Sequence, residues 1–224
     1  MKIQLALDRV TIEEAIILAK LAEPSVDWIE VGTSLIKEYG IESIYKIKQA
    51  FPHKTIVADI KTIDNAEYEF TMCYQAGADI ATVMGVSPLP TIDTCANVSE
   101  KWNKKMMVDL LNTSSSSQKQ VGIYRNAIFC HHISKDEQEK EGKSLSQINL
   151  RQYFHSDAKI AVAGGINPTS AASLLQMKAD VAIIGSAITK SADVAKASAE
   201  FQNLFLDIKQ RYLVYYDHCI KLIY

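Results

Sequence analysis

The chain is short of cysteine, has no excess of either charge and contains no long apolar run, and each shortage closes off a class of protein. Its four cysteines, Cys73, Cys95, Cys130 and Cys219, form no C-x-x-C pair. That disfavours both a zinc site and a disulfide framework and predicts reduced thiols. With 24 Lys+Arg against 26 Asp+Glu, the formal charge is −2, which gives no electrostatic reason to expect nucleic acid or an anionic membrane as partner. No stretch approaches the roughly 18 to 20 apolar residues of a membrane span. The opening MKIQLALDRV is broken at Asp8 before it reaches the length of a signal-peptide core. A soluble, cytoplasmic protein is therefore expected. There is also no G-x-G-x-x-G after the first apolar run, which weighs against a doubly wound dinucleotide-binding sheet.

What is present is alternation. Short apolar runs with strand character fall at 3–8, 27–32, 55–61, 79–85, 105–111, 127–132, 159–165 and 180–186, separated by segments of helical spacing. Thr11, three residues before Glu14, predicts a capping box, and Asn167 before Pro168 predicts a second helix start. Eight strands joined by helices imply parallel pairing through right-handed crossovers, and a chain of this length closes most simply as a single (β/α)₈ barrel of the α/β class. The barrel is expected over residues 1–210, followed by an aromatic and apolar extension, 211–224. The serine-rich segment 112–125 stands where the fifth helix belongs, so that helix is expected to be short, irregular or mobile.

In such a barrel the reactive groups sit where strands end at the C-terminal face. The strand ends place Asp8, Glu30, Asp59, Lys61, Asp109, His132, Gly164, Gly165, Gly185 and Ser186 there. Asp59 and Lys61, two apart, project to one side of the third strand while Ala58 and Ile60 project to the helices. Buried charges must pair, bind an ion or meet a charged substrate. Carboxylates on adjacent strands, Glu30 and Asp59, also suit a hard cation such as Mg²⁺. The glycines that end the seventh and eighth strands predict a phosphate site, since backbone N–H groups and helix N-termini attract anions there. Of the adjacent pair His131 and His132, at most one can face the site.

The segments LALD, EVGTSLI, VADIKTIDNAEYE with its D-x-K-x-x-D, AGADIATVMGV, MVDLL, VAGGI and IIGSAIT stand in a characteristic order. Over roughly residues 1 to 205 the chain resembles the 3-hexulose-6-phosphate synthases, a family within the orotidine 5′-monophosphate decarboxylase suprafamily of phosphate-binding barrels. The resemblance implies an aldehyde-lyase that condenses D-ribulose 5-phosphate with formaldehyde to D-arabino-hex-3-ulose 6-phosphate, and the reverse. It implies Mg²⁺ on Glu30 and Asp59, Lys61 stabilising an enediolate, Asp8 and Asp64 completing the polar network, and His132 in proton transfer. Gly164, Gly165, Gly185 and Ser186 would hold the phosphate. It further implies a homodimer in which Asp64 reaches into the neighbouring subunit's site. His132, Asp64 and Asp8 all stay open as the base. The related 3-keto-L-gulonate-6-phosphate decarboxylases share this acidic and lysine core but carry arginines where this chain has Ser186 and Lys135. A barrel that binds a sugar phosphate without turnover is a third reading. Departures from the synthase pattern are Ile133 and Ser134 in place of a Thr-Gly pair, and Asn65 and Ala66 in place of glycines.

Overall fold

The computed structural model describes residues 1–141 and 150–221, with the side chains of residues 135, 139, 141, 150, 172, 175, 176 and 208–221 outside the description. Eight strands fall on the eight apolar runs, with ends within two residues of those expected: β1 Lys2–Leu7, β2 Trp28–Val31, β3 Thr55–Thr62, β4 Ile80–Met84, β5 Lys105–Asp109, β6 Ile128–His132, β7 Lys159–Ala163 and β8 Val181–Ile184. Each pairs in parallel with the next and β8 pairs with β1, closing the barrel. The described helices are α1 Ile12–Ala22, α2 Thr33–Tyr39, α3 Glu42–Ala50, α4 Ala66–Gln75, α5 Leu89–Lys101, α6 Ser115–Val121, α7 Lys135–Glu141, α8 Ala171–Gln176, α9 Ser186–Thr189 and α10 Val194–Lys221.

Local signals account for several helix starts. Thr11 and Glu14 form the expected capping box at α1. In the serine-rich segment the helix is short: α6 has 7 residues, and the Ser114 side chain accepts the N–H of Ser117 at its start. The start expected at Pro168 moves to Ala171, because the Asn167 side chain accepts the Ser170 N–H at 3.0 Å and closes a turn first. The expected extension 211–224 falls on the last part of α10 and on residues 222–224, which lie outside the described residues.

Strand alternation builds two layers. Leu5, Leu7, Ile29, Val31 and Ala58 face the helices, while Val57, Ile80, Met107, Ile128, Ala161 and Val181 fill the barrel interior. The N-terminal end is clamped by a repeated contact. Asp27, Asp79 and Asp180, each just before an even-numbered strand, accept the N–H of Ile3, Ile56 and Ile160 at 2.8, 3.0 and 2.9 Å. These clamps set strand register at the end opposite the polar mouth, where a barrel's residues serve stability.

Candidate active site

The third strand does not run as a plain ribbon. Ala58 pairs with Ala81 but Thr62 pairs with Val83, so Asp59, Ile60 and Lys61 stand opposite the single residue Thr82. This is a bulge with two extra residues on β3, and Lys61 takes φ 52 within it. Asp59 and Lys61 face the mouth together, as the two-residue spacing predicts. The Lys61 Nζ lies 3.0 and 2.8 Å from the two Asp59 oxygens and 3.0 Å from Asp109 Oδ2. Asp59 also accepts hydroxyl hydrogen bonds from Thr33 at 2.8 Å and Thr82 at 2.9 Å. Burial alone would lower the Lys61 pKa, but the Asp59 and Asp109 carboxylates beside it raise it well above the ordinary lysine value. Lys61 is therefore a fixed cation and no source of a free amine.

Asp109, at the end of β5, is a central member of the site to which the sequence reading gave no role. Burial pushes its carboxyl up, but the hydrogen bond and charge of His132, the Lys61 ammonium and the Leu111 N–H together hold it down at about 2. The His132 Nδ1 sits 2.9 Å from Asp109 Oδ2. Against a carboxylate that stays ionised, Nδ1 carries the proton and Nε2 is left as the nitrogen that can take one up. His131, on the other side of the strand, lies outside this network; its pKa is lowered by burial and by His132. Its signal in sequence is the same as that of His132, and only strand orientation separates them.

Glu30 pairs in register with Ala6 and Val57 and so faces inward. It is buried, and its Oε2 accepts the side-chain N–H of Gln4, a fully buried residue whose Oε1 has no partner among the described residues. Burial first, and the nearby Asp59 charge second, push its carboxyl up to about 8. Two buried carboxylates whose charges disfavour each other are the donor set a divalent cation would relieve. Among the described residues no group of three or more His, Cys, Asp or Glu gathers for a metal, but Mg²⁺ uses only one or two carboxylates and keeps waters and substrate oxygens. The residues therefore fit that ion.

The Glu30 environment gives a testable pH dependence. An acid whose folded pKa lies above its unfolded value binds protons more tightly when folded, so stability is lost as pH rises from the ordinary 4.5 towards 8. The melting temperature of the metal-free protein is expected to fall across that window, and Glu30→Gln to flatten the fall. An unchanged slope in that variant would remove Glu30 as its origin.

The other expected residues are placed less uniformly. Asp8, just beyond β1, is exposed and accepts the Ser34 N–H at 3.1 Å and hydroxyl at 2.6 Å. A Cβ on Gly32 would overlap the Asp8 carboxylate, so that glycine makes its seat. Asp64 is exposed in the turn before α4, accepts the N–H of Asn65, and makes no hydrogen bond or ion pair with Asp59 or Lys61 among the described residues. Asn65 sits at φ 55, a left-handed conformation that Asn tolerates, so the turn survives without the glycine.

Gly164 and Gly165 have φ 111 and 65. A Cβ on Gly164 would lie 2.6 Å from the Ile133 carbonyl, and one on Gly165 would lie 2.8 Å from Gln138 Oε1. Gly164 thus has a packing reason to be glycine besides any ligand, and Gly165 a conformational one in its φ. Gly185, at φ −103, precedes α9 and its Cβ position is open to 3.7 Å. Ser186 opens α9.

The family model described as "Orotidine 5'-phosphate decarboxylase / HUMPS family" matches residues 1–201. The 3-hexulose-6-phosphate synthase of Bacillus subtilis (strain 168) is 34% identical over 208 residues, which is 92% of this chain and 99% of that protein. Among solved structures, 3-hexulose-6-phosphate synthase from Salmonella typhimurium superposes with a TM-score of 0.87 at 32% identity, over 93% of this chain and 100% of that one. The 3-keto-L-gulonate-6-phosphate decarboxylase from Vibrio cholerae has a TM-score of 0.80 at 24% identity over 93% and 97% of the two chains, a likeness that speaks to the fold alone.

Proposed function

Because the chain belongs to the orotidine 5′-phosphate decarboxylase / HUMPS family and is an enzyme of the aldehyde-lyase kind, we propose that its barrel mouth joins D-ribulose 5-phosphate to formaldehyde, giving D-arabino-hex-3-ulose 6-phosphate, and runs the reverse cleavage. The observation that carries this reading is the Asp59–Lys61–Asp109–His132 network, in which a permanently charged ammonium lies beside a histidine with one nitrogen free for proton exchange. His132 Nε2 takes a proton from C1 of ribulose 5-phosphate, next to the C2 carbonyl. Asp109 holds the ring tautomer and offsets the imidazolium charge that results. Lys61 Nζ stabilises the negative charge that develops on the enediolate oxygens, and its position is set before reaction by two carboxylates. The nucleophilic C1 then adds to formaldehyde: one C–C bond forms as the aldehyde π bond opens, the sugar carbonyl is restored, and the new alkoxide takes back the proton held on His132 Nε2. Mg²⁺ on Glu30 and Asp59 would supply Lewis-acid polarisation of the sugar's carbonyl and hydroxyl oxygens. The phosphate would rest on the turns at Gly164–Gly165 and Gly185–Ser186, across the mouth.

A homodimer is part of the same proposal. Ile63 and Tyr68, beside Asp64, are 53% and 65% exposed, and Val86 and Leu89, in the next connection, which the Ser87 hydroxyl ties to the Thr62 carbonyl at 3.2 Å, are 43% and 39% exposed, apolar side chains that a second copy would cover.

The purified protein with Mg²⁺, ribulose 5-phosphate and formaldehyde should consume formaldehyde, and the active species should sediment at twice the mass of one chain. No formaldehyde loss overturns the aldolase assignment. Release of CO₂ from 3-keto-L-gulonate 6-phosphate would move the assignment to the decarboxylase.

A further inference from the structure

Opposite the bulge in β3 stands one side chain that touches both ends of the Asp-x-Lys pair. The Thr82 hydroxyl accepts the Lys61 backbone N–H at 2.9 Å and donates to Asp59 Oδ1 at 2.9 Å. Thr82 is buried, on the strand that β3 slips against. The bulge takes the Lys61 N–H out of the regular ladder, and without the hydroxyl that donor would be left inside the protein unpaired. Lys61 at φ 52 is also a conformation that a lysine seldom takes, and such a backbone persists only where its surroundings over-determine it.

We propose that Thr82 is a positioning residue for the aldol reaction. It pins the bulge so that the Lys61 ammonium returns over Asp59 and points at the reacting oxygens, and it makes no contact with substrate itself. This rests on the reading of the mouth as an enediolate-forming site. Valine has the shape of threonine, so Thr82→Val keeps the barrel filled and removes both hydrogen bonds at once. A misplacement of about 1 Å in a catalytic group lowers turnover on the order of 100-fold.

The test compares Thr82→Val and Thr82→Ser with the wild-type protein. In the valine variant kcat is expected to fall about 100-fold with KM for ribulose 5-phosphate within about 3-fold, and serine is expected to restore kcat to within about 3-fold. Hydrogen exchange of the Lys61 backbone amide should accelerate in the valine variant and stay protected with serine. A valine variant with wild-type kcat, a change confined to KM, or a folded serine variant as slow as valine would each overturn the proposal. Should valine prevent folding, Thr82→Cys, a weak donor and acceptor, carries the same comparison and is expected to lower kcat with KM unchanged. If the wild-type protein consumes no formaldehyde, the aldolase reading falls. Exchange at the Lys61 amide then still decides whether Thr82 holds the bulge.

Discussion

Lys61→Ala is expected to lower turnover at least about 10³-fold while the protein remains folded. The ammonium is held by three carboxylate contacts of 2.8 to 3.0 Å, and those carboxylates raise its pKa, so its removal deletes a preorganised positive charge. Water entering the space left behind would stabilise an enediolate far less, because it must reorient as the charge develops. The fold survives for a different reason. Lys61 lies in a bulge at the mouth, whereas the strands are held by the interior plug and the Asp27, Asp79 and Asp180 clamps at the opposite end. Some stability is lost, since Asp59 and Asp109 keep their burial without the cation between them. Circular dichroism and a melting curve check the fold, and formaldehyde consumption checks the turnover. A variant with near-normal turnover would mean that Lys61 is only a structural ion-pair partner.

Gly164→Ala should be the most damaging of the glycine substitutions at the mouth. Its φ of 111 is strained for any residue with a side chain, and the added methyl would meet the backbone of Ile133, whose carbonyl and N lie 2.6 and 2.9 Å from it. Backbone on the facing loop cannot rotate away as a side-chain tip can. Strain of about 1 to 3 kcal/mol and overpacking of about 1 to 3 kcal/mol then act together, for a fall in melting temperature of roughly 10 °C. Gly185→Ala is the counterpart. Its φ is negative and the nearest atoms to a new Cβ are 3.7 and 3.8 Å away, so it should cost less stability than Gly164→Ala. Any kinetic effect there belongs to the phosphate, as a higher KM for ribulose 5-phosphate. A Gly164→Ala protein with unaltered melting temperature would contradict the close packing of the β6–α7 loop on the end of β7.

The barrel was legible because eight apolar runs needed only to be counted, and the mouth because charged residues at strand ends break the packing rule there. Inward placement of Glu30 and Asp59 follows from a period of two. The bulge did not show, since a slip of register is a relation between two strands and VADIKT reads the same with or without it. Thr82 and Gln4 were passed over for a related reason: a lone polar residue in a strand is ordinary until its neighbour on the next strand is known. Asp109 was located at a strand end, but its partners are Lys61, 48 positions earlier, and His132, 23 later, a pairing that only closure of the sheet creates. Gly164 suits a phosphate by its sequence position, and the loop after β6 adds a steric reason for that glycine that a single strand cannot reveal. Asn65 in place of glycine looked like a departure, yet the left-handed turn it had to support is retained.

The central claim is that this mouth removes a proton from C1 of ribulose 5-phosphate and makes a bond from that carbon to formaldehyde. Carbon NMR of a reaction with ¹³C-labelled formaldehyde, Mg²⁺ and ribulose 5-phosphate carrying ¹³C at C1 measures both the bond and its position. The account predicts that the label enters a hexulose 6-phosphate as its terminal hydroxymethyl carbon, coupled to the former C1. Label that stays in formaldehyde while the protein is folded and metal-loaded would contradict it.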